Sequence, residues 1–481
     1  MNNIDKSIFD NLCINCLGLT PSGYKLIPAA GGDRKYYRLQ PESMRILGVI
    51  ADNKADSKAY VSLSQVFQGY KDEWSAGFYI PKVLDSTDDF SHYLVEDVGD
   101  VSLYDRLNDG QLPVLMDRVV RALVSMQTVP EDKWERVVAY PPLSKRLIMW
   151  DLNYFKYEFL KICGIEFDEN ALEDDFERLA NDLLTIPHNQ WGFMMRDCQS
   201  RNIMLGGHDN QTPYFIDFQG GRKGPLLYDA VSLLWQAKAG FSKEFRMQML
   251  DIYCAELAKR RNIDPGEILG PLPAIVLFRT LQVLGAYGFR GLVQKRAHFI
   301  TSIPAALRNL ADIISFGWLD KYPCLHELAE DLVNLPKFNG VENYPGKLVI
   351  KVFSFSYKKG YPDDLSGNGG GFMFDCRGMH NPGRYDEYKL LTGRDASVIE
   401  FLKEKGEADV FAEKAIQIVI PTVERYLKRG FTSLQIGFGC TGGRHRSVYC
   451  AEYVAGKLAE MFPHAKVELI HREQEIVEIF N

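Results

Sequence analysis

The chain has 481 residues, of which 46% are hydrophobic and 25% charged, with a formal net charge of -7. At roughly 150 residues per domain, that length predicts about three domains, each able to bury a core. The composition excludes collagen-like, disordered and disulfide-dense classes, and 56 basic against 63 acidic residues argue against a surface given over to nucleic acid or anionic membrane.

The N-terminal run MNNIDKSIFDNLC has one lysine and no long apolar segment, so no signal peptide is expected. No stretch of about 18 apolar residues stands out, and no membrane span is expected. Nine scattered cysteines fit a reducing cytoplasm better than a disulfide framework. Cys13 and Cys16 form one C-x-x-C without the second pair that zinc needs. The simpler expectation is a helix burying Ile8, Phe9, Leu12 and Cys16. Residues 20–100 read as short strands and turns, with apolar runs at Arg45–Ile50 and Tyr93–Val95. Residues 101–190 read as helix, including Val114–Val129 and Leu147–Cys163, and residues 191–225 as dense loops. Helical pattern resumes from Tyr228 to about Leu310. A Pro-, Gly- and Asn-rich segment, 336–347, is the predicted linker. Beyond it the pattern alternates, as in Leu348–Phe355. Residues 347–481 hold 19 basic and 18 acidic residues and the remainder 37 and 45, which supports two separately composed parts.

The strongest chemical signal is Met195-Arg196-Asp197-Cys198-Gln199-Ser200-Arg201-Asn202, followed by Ile216-Asp217-Phe218-Gln219. An Asp, an Asn five residues on and a later Asp at a strand end make a phosphoryl-transfer set. Asp197 would orient the proton of an attacking hydroxyl, and Asn202 and Asp217 would hold Mg²⁺ against phosphate oxygens. The Gly31-Gly32-Asp33 turn leading to Arg38 suits nucleotide phosphates. Leu94–Asp97 reads as a strand ending at a hinge, where Glu96 and Val98 are candidates for backbone contact to a base. Asp229, opening the next helix, is expected to support the loop rather than react.

Residues 20–310 resemble the aminoglycoside phosphotransferase/choline kinase-like superfamily. The Arg196–Met204 and Ile216–Gln219 segments, with Gly224-Pro225, Tyr228-Asp229 and Gly32–Arg38, look like N-acetylmuramate/N-acetylglucosamine kinases. Those enzymes phosphorylate the anomeric hydroxyl of amino sugars with ATP. The resemblance implies an α+β, two-lobed protein-kinase-like fold over 1–335 (lobes about 1–97 and 98–335), ATP and Mg²⁺ as cofactors, and a sugar-like acceptor. The sequence departs from the pattern at Met195 and Gln199, where His is common, and in the strand Arg45–Ile50, which offers no lysine. Arg38 or Lys54 is the expected source of that charge.

In the C-terminal part an apolar strand, Ser433–Gly439, runs into Cys440-Thr441-Gly442-Gly443-Arg444-His445-Arg446-Ser447 and then a helix. Strand, Gly-rich turn and helix start aim backbone N–H groups at an anion, and this is not a Walker A spacing. Cys440 and Arg446 also match the C-x5-R loop of cysteine-dependent phosphatases, with Asp363, Asp364 and Asp375 as available acids. Residues 348–472 resemble the C-terminal domain of RapZ-type RNase adapters, on Ser354–Gly360, Phe374–Arg377, Asn381-Pro382, Leu391–Gly393 and Gly439–Val448. The resemblance implies an α/β domain over 348–481 that binds a sugar phosphate such as glucosamine 6-phosphate, contacts RNA and self-associates. Thr441, Gly442, Gly443, Arg444, His445, Arg446 and Ser447 are the expected phosphate contacts, and Asp375, Arg377 and Asn381 the sugar contacts. The favoured reading is an amino-sugar kinase with a sugar-phosphate-binding tail. The alternatives are a nucleotide-sensing adapter that binds RNA or protein, and a C-terminal cysteine phosphatase.

Overall fold

A computed structural model describes residues 1–27, 34–40, 45–70, 77–207, 209–294, 296–335, 338, 348–362, 364 and 371–480. Gly31, Gly32 and Asp33 of the expected nucleotide turn lie outside the described residues, as does Asp363. The chain divides into two compact units, Met1–Ala286 with Ala305–Asn334, and Tyr287–Pro304 with Leu335–Asn481. The expected boundary 1–335 includes Tyr287–Pro304, which this division assigns to the other unit.

In the first unit, β1 (Tyr24–Ile27), β2 (Lys35–Leu39), β3 (Ile46–Ile50), β4 (Val83–Ser86) and β5 (His92–Glu96) form an antiparallel sheet in the order β1-β2-β3-β5-β4. Helix α1 (Asn3–Leu17) packs Phe9, Leu12 and Cys13 against Tyr37, Leu39, Ile46 and Leu94. Cys13, rather than the expected Cys16, is the cysteine that helix buries. Gly48 must lack a side chain, since a Cβ there would lie 2.8 Å from the Phe9 ring. Reading 20–100 as strands passes over α2 (Lys54–Gly69), which starts at an Asn53 cap and buries Tyr60, Leu63 and Phe67. Polar residues interleaved on its buried face weaken the apolar pattern that would reveal it.

Past Glu96 the unit is mainly helical, beginning with α3 (Leu112–Gln127). Residues 191–225, expected as loops, carry β6 (Trp191–Met194), β7 (Ile203–Gly206), β8 (Thr212–Phe215) and β9 (Arg222–Pro225), paired β6 with β9 and β7 with β8. These pairs anchor both ends of the Met195–Asn202 loop and of Asp217. The run Pro265–Val293 is long and apolar enough to cross a membrane by length and composition, contrary to the reading that no such stretch exists, and 61% of its apolar window is buried inside the fold.

Asp229, on helix Leu227–Leu234, fixes the loop. Its fully buried carboxylate accepts the backbone N–H groups of Met195 (2.7 Å) and Arg196 (2.9 Å) and the Gln127 side-chain amide (3.0 Å). Arg196 adopts a left-handed φ of 72°, which costs energy for an L residue and needs such an anchor. An aromatic column ties sheet to helices. Its successive ring separations are Tyr93–Tyr60 5.5 Å, Tyr60–Phe218 4.7 Å, Phe218–Phe67 5.8 Å, Phe67–Phe193 5.0 Å and Phe193–Trp134 5.4 Å.

In the second unit, β10 (Val349–Ser356), β11 (Gly371–Asp375), β12 (Ser433–Cys440), β13 (Lys466–His471) and β14 (Ile476–Phe480) form a sheet in the order β11-β12-β10-β13-β14. All but β14 are parallel. The near-continuous apolar run of β12 is the mark of a parallel strand buried on both faces. Ile436, Phe438 and Val467 share a core with Val419 and Val423 of helix Glu407–Arg429 and with Ala451, Val454 and Leu458 of helix Arg446–Met461. The register brings Ser356 opposite Cys440 and Asp375 opposite Gly439, so the parallel strands end together. Open parallel sheets bind ligands beyond such carboxyl ends.

Two outcomes are expected. A Cβ at Gly393 would lie 2.3 Å from the His445 carbonyl oxygen and 2.7 Å from the Tyr449 amide nitrogen, so G393A should lose about 1–3 kcal/mol in denaturant titration. Burial pushes the Asp229 carboxyl up to about 6 against the hydrogen bonds that lower it. A raised acid contributes stability below its unfolded pKa of about 3.9, and that contribution is lost as pH rises through about 6. Wild type should therefore lose roughly 3 kcal/mol relative to D229N between about pH 4 and 7, and parallel pH profiles would exclude Asp229 as the titrating group.

Candidate functional site

The loop between β6 and β7 presents Asp197 with its side chain 47% exposed. Gln199 donates its amide to both carboxylate oxygens at 3.0 Å, and the Asn202 amide donates to the Asp197 carbonyl (2.9 Å) and carboxylate (3.2 Å). Gln199, standing where His is common, thus orients the carboxylate. Arg279 approaches Asp197 at 3.6 Å. Arg196 points away, pairing with buried Asp151 at 2.8 Å, and Gln282 donates to the same carboxylate at 2.9 Å. Met195 is buried, and its backbone N–H is the group that Asp229 uses.

Asp217 comes alongside because Ile216 donates its N–H to the Asn202 carbonyl at 2.9 Å, extending the β7–β8 pairing. It sits at φ 62° and accepts the Gln219 amide at 2.6 Å. Asn202 commits its amide nitrogen to Asp197, which leaves its amide oxygen as the group that could meet a cation. Two hard oxygen donors on adjoining backbone fit Mg²⁺, which keeps waters and takes its other ligands from phosphates. Among the described residues no group of three or more His, Cys, Asp and Glu gathers into an all-protein metal cage.

The structure redistributes the expected cations. Arg38 lies 2.5 Å from Asp97 and 2.7 Å from Asp100, so it is paired with the carboxylates that follow β5. Lys54 pairs with Asp89 at 2.6 Å. Arg34, not singled out by sequence, approaches Asp217 at 3.7 Å. The Glu96 and Asp97 N–H groups go to the carbonyls of Lys82 (2.8 Å) and Arg45 (3.1 Å), so Val98 is the first hinge residue past the sheet.

In the second unit the turn after β12 lies at the strand ends with Thr441, Gly442 and Arg444 exposed. Gly443 has φ 63°, and a Cβ there would lie 2.4 Å from the Glu473 side chain and 2.8 Å from the Ser356 nitrogen. The other expected phosphate contacts are turned inward. His445 hydrogen-bonds the Tyr388 carbonyl at 2.9 Å, and burial lowers its pKa. Arg446 donates to the carbonyls of Arg377 and Met379, both at 2.9 Å. Ser447 is buried against Cys440, Oγ to Sγ 3.1 Å. Burial raises the Cys440 thiol, but hydrogen bonds from Ser447 and the Arg444 backbone outweigh it and hold the pKa below the usual value. A cysteine phosphatase must aim thiolate and Arg at one phosphoryl group. Cys440 is 3% exposed and Arg446, 4% exposed, gives its Nη1 to two carbonyls, so neither group is presented at the surface of the turn.

Asp375 and Arg377 form a two-pronged pair at 2.7 and 2.9 Å, with Arg377 lying 4.2 Å over the Tyr357 ring. Asn381 caps its own turn by accepting the Gly383 N–H at 3.2 Å. Sequence reading missed a neighbouring group in which Glu473 accepts from Ser356 N–H (3.1 Å), Arg472 (2.7 Å) and Lys359 (2.8 Å). The cue was the Ser354–Gly360 run, whose last residues bring Ser356 and Lys359 to the strand ends.

A nucleotide-binding protein of Cereibacter sphaeroides is 40% identical over 130 residues, which are 27% of this chain and 40% of that protein. A nucleotide-binding protein of Thermotoga neapolitana is 33% identical over 137 residues, 28% of this chain and 46% of that protein. The chain thus spans less than half the length of either relative. An ethanolamine kinase of Plasmodium vivax superposes with a TM-score of 0.44 at 14% identity, covering 62% of this chain and 84% of that one. An ADP-bound aminoglycoside phosphotransferase gives a TM-score of 0.44 at 14% identity, covering 60% and 90%. Residues 34–263 match the phosphotransferase enzyme family and residues 348–475 the RapZ C-terminal domain. The chain therefore carries a phosphotransferase-family domain of protein-kinase-like fold followed by a RapZ C-terminal domain.

Proposed function

We propose that residues 1–335 form an ATP- and Mg²⁺-dependent kinase acting on a hydroxyl of a sugar-like substrate, with amino sugars as the acceptor class. The observation that carries this is the clasp of Asp197 by Gln199 and Asn202, with Asp217 on the adjoining strand end. Asp197 takes the hydroxyl proton and aims its oxygen at phosphorus. Gln199 and Asn202 keep the carboxylate from swinging. Asn202 and Asp217 would hold Mg²⁺, which when bound offsets phosphate charge. Val98 and Glu96 line the base end. The amino-sugar assignment draws on the likeness of the loop and strand-end segments to amino-sugar kinases.

Residues 348–481 bind a sugar phosphate in the same proposal. Its support is the exposed Thr441-Gly442 turn with Arg444 at the carboxyl ends of the parallel strands. In this reading Asp375 and Arg377 meet sugar hydroxyls, whereas His445, Arg446 and Ser447 shape the turn from behind. A cytosolic setting belongs to this reading, and nine cysteines present as thiols support it.

An ATP-consumption screen across amino sugars should reveal acceptor-dependent ADP release, with the phosphate located on the product. D197N should lower that rate at least about a hundredfold while still binding ATP. A flat screen, or an unchanged D197N, defeats the kinase proposal. Glucosamine 6-phosphate should bind the full chain in calorimetry, and R444A should weaken it about tenfold. No heat at millimolar ligand would remove the sugar-phosphate assignment.

A further inference from the structure

We propose that Arg34 is the phosphate-positioning residue of the first unit, holding phosphate oxygens of a bound nucleoside triphosphate beside Asp217. The assignment rests on the kinase reading above. Protein kinases place a lysine on the third strand for this task. Here β3 reads Ile-Leu-Gly-Val-Ile, without a cation. Its Gly48 has no room for any side chain because the Phe9 ring fills the space. The two cations expected to replace it are engaged elsewhere, Arg38 with Asp97 and Asp100 and Lys54 with Asp89.

Arg34 stands immediately before β2. Its Nη1 lies 3.7 Å from the Asp217 Oδ1, and its side chain is 13% exposed against 43% for Asp217. That distance exceeds a direct charge-assisted hydrogen bond, which runs about 2.7–2.9 Å. The carboxylate therefore steers the guanidinium without saturating its five donors. The guanidinium also lies 5.8 Å over the Tyr60 ring. Tyr60 stacks on Phe218, the residue after Asp217, at 4.7 Å and 16°. One aromatic column thus fixes the carboxylate and the cation relative to each other. Aromatic walls exclude water, which strengthens the pull of the guanidinium on a phosphate. In sequence Arg34 directly follows Gly31-Gly32-Asp33, the turn that suits phosphates.

The rival role is a counter-ion that only balances Asp217. The two roles predict opposite results. As a phosphate donor, Arg34 replaced by Ala weakens Mg²⁺–ATP binding to the full chain about tenfold to a hundredfold and leaves adenosine binding unchanged. R34K restores part of the loss, since it returns the charge without the planar fork. As a counter-ion, its removal frees Asp217, and ATP binds as tightly as before or tighter. Unchanged or tighter ATP binding by R34A overturns the assignment. So does an equal loss of adenosine, which would mark a damaged pocket rather than a missing phosphate contact. Wild type that binds no ATP at all would overturn the kinase reading and Arg34 with it, whereas tight wild-type binding with an unaffected R34A overturns only the assignment.

Discussion

The first unit depends on a carboxylate that never meets solvent. Asp229 takes the two N–H groups at the start of the Met195–Asn202 loop and is itself steadied by Gln127. A buried charge with fewer partners would neutralise or unfold its surroundings. With three donors it becomes a rigid peg, though burial still costs enough to raise its pKa. The peg lets Arg196 hold a left-handed backbone, and that kink turns its side chain toward Asp151 while Asp197 faces outward. The outward course of the loop at Asp197 thus starts from a residue it does not touch, and Gln199 and Asn202 then hold its carboxylate.

The aromatic column performs the matching task for the opposite side of the site. It passes from β5 through α2 and Phe218 to β6 and Trp134, so sheet and helical part are packed as one body. Large rings in offset or edge contact bury much area with few rotamers to restrict. Phe218 is fixed by Tyr60 and Phe67, and Asp217 is fixed as its chain neighbour. The left-handed φ at Asp217 is tolerated for the same reason as that at Arg196: packed neighbours over-determine it.

The second unit solves a different problem, presenting a turn at the end of a buried sheet. A Gly-rich turn alone would be floppy. Its inward side chains remove that freedom: His445 and Arg446 donate to carbonyls of neighbouring segments, and Ser447 meets Cys440 beneath the turn. Charged side chains here brace backbone, which leaves the exposed face to Thr441, Gly442 and Arg444. The cysteine and arginine spacing of a phosphatase is present in sequence, yet both side chains are buried and the arginine's Nη1 goes to carbonyls.

That contrast explains what was legible in advance. Asp197, Asn202 and Asp217 could be picked out because a phosphoryl-transfer set needs those types at set intervals, and the structure brings them onto adjoining backbone. The strand, turn and helix of residues 433–461 could be read because apolar runs and periodicity are local. Arg34 could not, since its partner lies far along the chain and nothing in Asp33-Arg34-Lys35 distinguishes it from a solvated pair. Nor could the direction of Arg446, because the carbonyls of Arg377 and Met379 that claim it come from another strand end. Helix α2 escaped because its buried face mixes Ser and Tyr with Leu and Phe. In each case residue type gave the chemistry available, and long-range packing decided which way it pointed. A charged residue beside a glycine turn is therefore evidence for an anion site only once the carbonyls around it have been counted.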